Sequence, residues 1–161
     1  MRDLNYIELI EDIANWIKQY VQTANLNGVV VGLSGGIDSA VTTSLCIKGF
    51  GKENIIGVGL PCESISQDLD DARLVAKSLG IDFEIVDLTL TYKEMIKNFP
   101  SEITLKDMAL ANIKPRLRMI TLYCIAQSLG YLVGGTGNRT ELAIGYFTKY
   151  GDIGDLCAFL H

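Results

Sequence analysis

The chain has 161 residues, with 14 Lys+Arg against 19 Asp+Glu and a formal net charge of −5. That length suits one domain, and 48% hydrophobic with 20% charged residues is globular composition, which excludes a disordered chain. The acidic balance argues against duplex nucleic acid as the main partner, and a single histidine at the last position, His161, removes histidine-based hydrolases and histidine-rich metal sites.

Cys46, Cys62, Cys124 and Cys157 show no C-x-x-C spacing and are expected to be reduced thiols of a cytoplasmic protein. Met1–Tyr6 leads straight into an amphipathic pattern containing acids, unlike a signal peptide. No run approaches the roughly 20 apolar residues of a membrane span, so no membrane partner is expected.

In chain order, residues 4–24 set Leu4, Ile7, Ile10, Ile13, Ala14, Ile17 and Val21 at threes and fours, one face of a helix. Val29 to Leu33 is a β-branched run without polar alternation, the pattern of a strand buried on both faces. Ser34-Gly35-Gly36-Ile37-Asp38-Ser39 follows, then a helical segment from Ala40 to Phe50. Ile55 to Leu60 is a second strand ended by Pro61, and Gln67 to Leu79 a helix ended by Gly80. Asp82 to Leu88 is a third strand, and residues 89–98 and 103–112 carry helical patterns around Pro100. Pro115 suits a first helical turn, so a fresh helix is expected over Arg116–Leu129. Tyr131 to Gly134 is a fourth short strand, followed by Gly135-Thr136-Gly137-Asn138.

Strands alternating with helices at this spacing predict a doubly wound parallel sheet flanked by helices, in a single domain over residues 1–161. Ligands of such sheets bind beyond the carboxyl ends of the strands, where the strand order reverses. Both glycine-rich segments fall at such ends.

The first segment is built as an anion cradle. Its glycines allow positive φ and close approach of backbone N–H groups, and the next helix offers unpaired N–H groups. Ser34 and Ser39 can add hydroxyl donors. Asp38 would repel a phosphate, so its place there implies a bridging Mg²⁺. The segment lacks the lysine of a Walker A loop and the spacing of the dinucleotide fingerprint. The plainer alternative is a glycine turn with Asp38 and Ser39 at the helix cap.

Ser34-Gly35-Gly36-Ile37-Asp38-Ser39 resembles the Ser-Gly-Gly-x-Asp-Ser pyrophosphate loop of the N-type ATP pyrophosphatases. Asn112-Ile113-Lys114-Pro115-Arg116-Leu117-Arg118-Met119 resembles the Asn-Ile-x-x-Arg-x-Arg-Met stretch of NAD synthetases. Gly135-Thr136-Gly137-Asn138-Arg139-Thr140-Glu141 and Gly145 to Asp152 resemble their next signature. Within the superfamily the resemblance is to the ammonia-dependent NAD synthetases.

That resemblance implies an adenine nucleotide alpha hydrolase-like, Rossmann-like fold and a ligase reaction. Deamido-NAD would be adenylated by ATP with release of pyrophosphate, and ammonia would then displace AMP. Gly32, Leu33, Ser34, Gly35, Gly36, Ile37, Asp38, Ser39 and Thr136 would hold ATP, and Asp38 and Glu141 would bind Mg²⁺. Arg116, Lys149 and Asp155 would contact deamido-NAD. Without the motif Arg118 is as good a candidate as Arg116, and Asp152 stands beside Asp155 in a segment one residue shorter than in many relatives. Tyr146, Phe147 and Tyr150 are candidates for stacking or packing, and Cys62 for a wall of the adenine site. A homodimer is implied, with helices 4–24 and 116–129 as candidate interfaces.

The family continues past Tyr-Gly-Asp with further helices that carry a lysine and a threonine on the ATP phosphates, whereas this sequence has Leu156 to His161 and stops. The expectation is a C-terminally truncated member whose sheet lacks its last strand and whose site lacks a phosphate lysine. There is no room for a glutaminase domain, so the nitrogen source would be free ammonia. A nucleotide-binding or dimerising module without turnover, or another adenylating enzyme of the superfamily such as a tRNA-thiolating one, are the alternatives.

Overall fold

Val29, Val30 and Val31 are all fully buried, although successive residues of a strand point to opposite faces. Their strand, β1 (Val29–Gly32), must therefore be covered on both sides, as its unalternating sequence predicts. The computed structural model describes residues 5–152 and 154. Around β1 it places α1 (Tyr6–Thr23), α2 (Ile37–Phe50), β2 (Ile55–Gly59), α3 (Ser66–Leu79), β3 (Asp82–Ile85), α4 (Thr89–Lys97), α5 (Asp107–Leu129), β4 (Leu132–Gly134) and α6 (Arg139–Ile144).

The four strands form one parallel sheet in the order β3-β2-β1-β4. Val29 and Val31 pack with Ile17 and Val21 of α1, Leu45 and Cys46 of α2, and Leu132 of β4. Val30 packs on the other face with Leu88, Tyr92, Met119, Leu122, Ala126 and Val133, brought by α4, α5 and β4. Ala72 and Ala76 of α3 close over Leu33. The chain leaves β1 towards β2 and β3, then crosses back over the opposite face through α4 and α5 to reach β4. The switch point is the seam between β1 and β4, and both glycine-rich segments leave the sheet there.

Several expected boundaries move. Gly36 is the N-cap of α2, so the helix begins three residues before Ala40 and takes Asp38 and Ser39 into its first turn rather than at its cap. A carboxylate in that position is favoured by the helix dipole. β3 ends at Ile85 instead of Leu88, although Val86 N–H still donates to the Gly59 carbonyl and Leu88 N–H to that of Pro61. Ladder-like bonding thus outlasts the regular strand.

The larger correction is at Pro115. No fresh helix starts there: α5 runs unbroken from Asp107 to Leu129 with the proline inside it. An interior proline forfeits the bond to the carbonyl four residues back, a cost of about 3 kcal/mol. Tertiary packing offsets it, since Met119, Leu122 and Ala126 are buried against the sheet and a later turn clasps the helix at the proline.

α1 is also only half used. Ala14, Ile17 and Val21 are buried, whereas Ile7 and Ile10 on the same sequence stripe remain exposed. Among the described residues, no helix is long and apolar enough to cross a membrane.

Candidate functional site

A cleft of about 870 Å³ opens at the carboxyl ends of β1 and β4, within the usual size range of small-molecule sites. Its floor is sheet, with Gly32, Val58 and Val133 among its lining, and its two sides are the glycine-rich crossovers.

The first crossover is tied to itself. Ser39 is 2% exposed, and its hydroxyl donates to the Gly36 carbonyl at 2.9 Å while accepting from Ser34 N–H at 3.4 Å. Gly36 N–H in turn donates to the Ser34 hydroxyl oxygen at 3.2 Å. Gly35 has φ +82°, and a Cβ there would lie 2.8 Å from the Asp68 carbonyl oxygen on α3. The loop is thus pressed against α3 with the N-terminus of α2 beside the cleft. The N–H groups of Ile37, Asp38 and Ser39 fall in that first turn, where a helix has no carbonyl of its own to offer them.

The second crossover is tied to the first. Asn138 is the N-cap of α6 in a capping box: its Oδ1 accepts from Glu141 N–H at 2.9 Å, and its own N–H donates to Glu141 Oε2 at 3.0 Å. Its remaining donor, Nδ2, reaches Asp38 Oδ2 at 3.3 Å, across 100 residues of sequence. Asp38 and Glu141, distant in sequence, both line the cleft and share this one neighbour.

Charge decides what the cleft can hold. Its lining includes Asp38, Asp68, Glu141 and Asp152 against one described cation, Arg118. A polyphosphate entering so negative a site needs a counter-charge brought with it. Among the described residues no group of three or more potential metal ligands is gathered, so there is no preformed protein cage. Two carboxylates of hard oxygen suit Mg²⁺, which keeps several waters and binds through one or two carboxylates plus substrate phosphates. The donor set fits that cation.

Of the residues expected at the site, Gly32, Leu33, Ser34, Gly36, Asp38, Ser39, Thr136 and Glu141 line the cleft. Gly35 is turned onto α3, and Ile37 is 74% exposed. Arg116 and Lys149 flank the cleft without lining it, the Arg116 Nε donating to the Lys149 carbonyl at 3.2 Å. Thr148 Oγ1 donates to Asn112 Oδ1 at 2.9 Å, and Gly151 packs on Pro115, which completes the clasp around α5. Thr148 N–H also donates to the Asp152 carboxylate, which lines the cleft. Asp155 lies outside the described residues. Tyr146 and Phe147 line the cleft, whereas Tyr150 sits under the Lys149 ammonium, 4.9 Å from its ring centre.

Arg118 is the cation that reaches the cleft. Its Nε donates to the Leu60 carbonyl at 3.0 Å and its Nη2 to Ser64 Oγ at 3.5 Å, tying α5 to the loop after β2. Lys114, one turn earlier, pairs with Glu63 at 3.0 Å in the same loop. Cys62 lies behind the wall rather than in it: it is 1% exposed, with Sγ 3.9 Å from the Leu88 carbonyl. Burial pushes its thiol pKa up, against the pull of Arg118 and Lys114, so it is a poor nucleophile.

The chain matches the family model described as NAD synthase over residues 9–160. It is 52% identical over 159 residues to the NH(3)-dependent NAD(+) synthetase of Finegoldia magna, covering 98% of this chain and 65% of that protein. It is 46% identical over 153 residues to the NH(3)-dependent NAD(+) synthetase of Carboxydothermus hydrogenoformans, covering 94% and 63%. Among solved structures it is similar to the NH3-dependent NAD synthetase from Campylobacter jejuni in complex with the nitrate ion, with a TM-score of 0.87 and 32% identity, over 94% of this chain and 66% of that one. The chain spans just under two thirds of the length of these relatives.

Proposed function

The chain belongs to the NAD synthase family, and from that premise we propose that it is a ligase that amidates deamido-NAD with ammonia at the expense of ATP, giving NAD, AMP and pyrophosphate. The observation that carries the reading is the meeting of two glycine-rich crossovers on one cleft, with Asp38 and Glu141 joined through Asn138.

In this reading the first turn of α2 and the loop from Gly32 to Ser39, with Thr136 opposite, receive the ATP phosphates. Asp38 and Glu141 hold the Mg²⁺, which supplies charge neutralisation on the phosphates. Arg116, Lys149 and Asp155 are proposed to contact deamido-NAD, and the described pair is well placed because the Thr148–Asp152 turn holds it beside the cleft. The nicotinate carboxylate attacks the α-phosphorus and pyrophosphate leaves. Ammonia then adds to the acyl carbon, the acyl C–O bond breaks with its electron pair leaving on AMP, and the proton lost from the nitrogen passes to solvent. A carboxylate is a poor acyl donor and the mixed anhydride a good one. The protein therefore needs to align the reactants and balance charge more than to move protons, which suits a cleft with no histidine among its described lining residues.

We further propose that residues 1–161 act as one domain, in the cytoplasm, and as a homodimer. The core clusters on the two faces pack on one sheet, and Cys46, Cys62 and Cys124 are free thiols. The exposed Ile7 and Ile10 of α1 and Ile120 of α5 offer apolar surface to a second copy. Sedimentation equilibrium is expected to give twice the chain mass; a monomer at every concentration would refute the dimer.

The deciding experiment supplies deamido-NAD, ATP, Mg²⁺ and ammonium and counts NAD and AMP in parallel. Equal amounts of both are expected, with loss of at least 100-fold in rate in Asp38→Ala. No NAD with Mg-ATP still bound would reduce the chain to a nucleotide-binding module. No binding of Mg-ATP would overturn the site itself.

A further inference from the structure

We propose that Asn138 is a positioning residue for the divalent cation, holding the carboxylates of Asp38 and Glu141 in one arrangement across the β1–β4 seam. The inference rests on the reading that those two carboxylates are the cation's ligands.

Three bonds from one residue make the case. The Asn138 N–H fixes Glu141 Oε2, its Oδ1 takes the Glu141 N–H, and its Nδ2 is given to Asp38 Oδ2. The first two are an ordinary capping box, which any good cap residue could complete. The third is not needed to cap α6. It leaves the helix, crosses the seam and ends on the one acidic side chain in the first turn of α2.

Residue type matters here because the carboxamide carries an acceptor and a donor on separate atoms. Ser or Thr would cap α6 with a shorter side chain and no amide to reach Asp38. Asp would cap it and set a second carboxylate against Asp38. Asn5 shows the contrast within the same molecule: it caps α1 through the Glu8 N–H, and its Nδ2 goes to Glu8 of the same helix. Both asparagines cap, and only Asn138 joins two elements far apart in the chain.

Two carboxylates that are to share a cation repel one another before it arrives. An N–H donor on each lowers that repulsion and restricts Asp38 to one orientation. Less ordering then remains to be done when the cation binds, as with other outer-shell partners of metal ligands.

The test is a Mn²⁺ titration followed by electron paramagnetic resonance with ATP present, alongside thermal unfolding of each protein. It compares the parent chain with Asn138→Ser, Asp38→Ala and, as a cap-exchange control, Asn5→Ser. Asn138→Ser keeps a cap residue, so its unfolding midpoint should stay near that of the parent while Mn²⁺ binds about 10-fold more weakly. Asn5→Ser should leave the Mn²⁺ affinity unchanged. Parent-like affinity in Asn138→Ser, with binding lost in Asp38→Ala, would refute the positioning role alone. Parent-like affinity in Asp38→Ala, or none in the parent, would instead refute the metal assignment beneath it. Should Asn138→Ser not fold, Asn138→Thr gives the same readout; if neither folds, Asn138 is a structural cap and the proposal fails.

Discussion

The two glycine-rich crossovers meet at one cleft and are made in different ways. The loop after β1 closes on itself: Ser39 and Ser34 bond to each other's segment, and Gly35 lies flat on α3. Among the described residues, the segment after β4 is held instead by the capping box of α6, by the bond from Asn138 to the other crossover, and by close packing of Gly154 on Gly135. One side is thus a fixed wall braced by α3, and the other is set relative to it by Asn138. A site built this way braces its phosphate side on α3 and links its two carboxylates through Asn138.

The contrast predicts opposite outcomes for the same chemical change in the two crossovers. Gly35→Ala should be the more damaging. It asks alanine to adopt φ +82° and drives a Cβ to 2.8 Å from a backbone oxygen of α3, which cannot swing aside like a side chain. Backbone strain and overpacking together should cost about 3 kcal/mol, or roughly 6–12 °C in unfolding temperature for a chain of this size. ATP binding should be lost with it, because relief of the clash pulls the loop off α3. Calorimetry and ATP titration of the variant check both; an unchanged midpoint would mean that the loop is not braced as described.

How far the sequence reveals this arrangement depends on how local each feature is. The β-branched run at Val29–Val31 shows a strand buried on both faces, because burial of successive residues is written directly in the pattern. The glycine-rich segments show which end of the sheet carries the site. Pro115 misleads, since its local preference is a helix start, and what keeps α5 continuous is packing on the sheet and the Thr148–Asp152 clasp. The start of α2 moves because a glycine caps it, and glycine is a weaker N-cap signal than the Asp38 and Ser39 that follow it.

Within the site, Asp38 and Glu141 stand out by type and context and Arg118 ranks level with Arg116, whereas Asn138 does not stand out. The Asn-x-x-Glu spacing of Asn138 and Glu141 is that of a capping box and could have located the six-residue α6. The third bond of Asn138 has no such signature, because its partner is 100 residues away. The partner of Arg118 is hidden in the same way, a carbonyl 58 residues earlier. Arg116 and Arg118 look alike in sequence, and only the helix phase relative to the cleft separates them.

The smallest effect is expected in the other crossover. Among the described residues, a Cβ on Gly137 would find nothing nearer than 3.9 Å, and the residue is not among those with positive φ. Gly137→Ala therefore meets neither strain nor a clash with the described residues. It also narrows the unfolded ensemble, so stability should be unchanged or raised by up to about 1 kcal/mol. The added methyl stands 4.0 Å from Glu141 Oε2, an ordinary contact that leaves the capping box intact. A loss of more than about 1 kcal/mol in Gly137→Ala would contradict this: it would mean that the second crossover is as tightly braced as the first, and that the difference between them does not lie in how each loop is held.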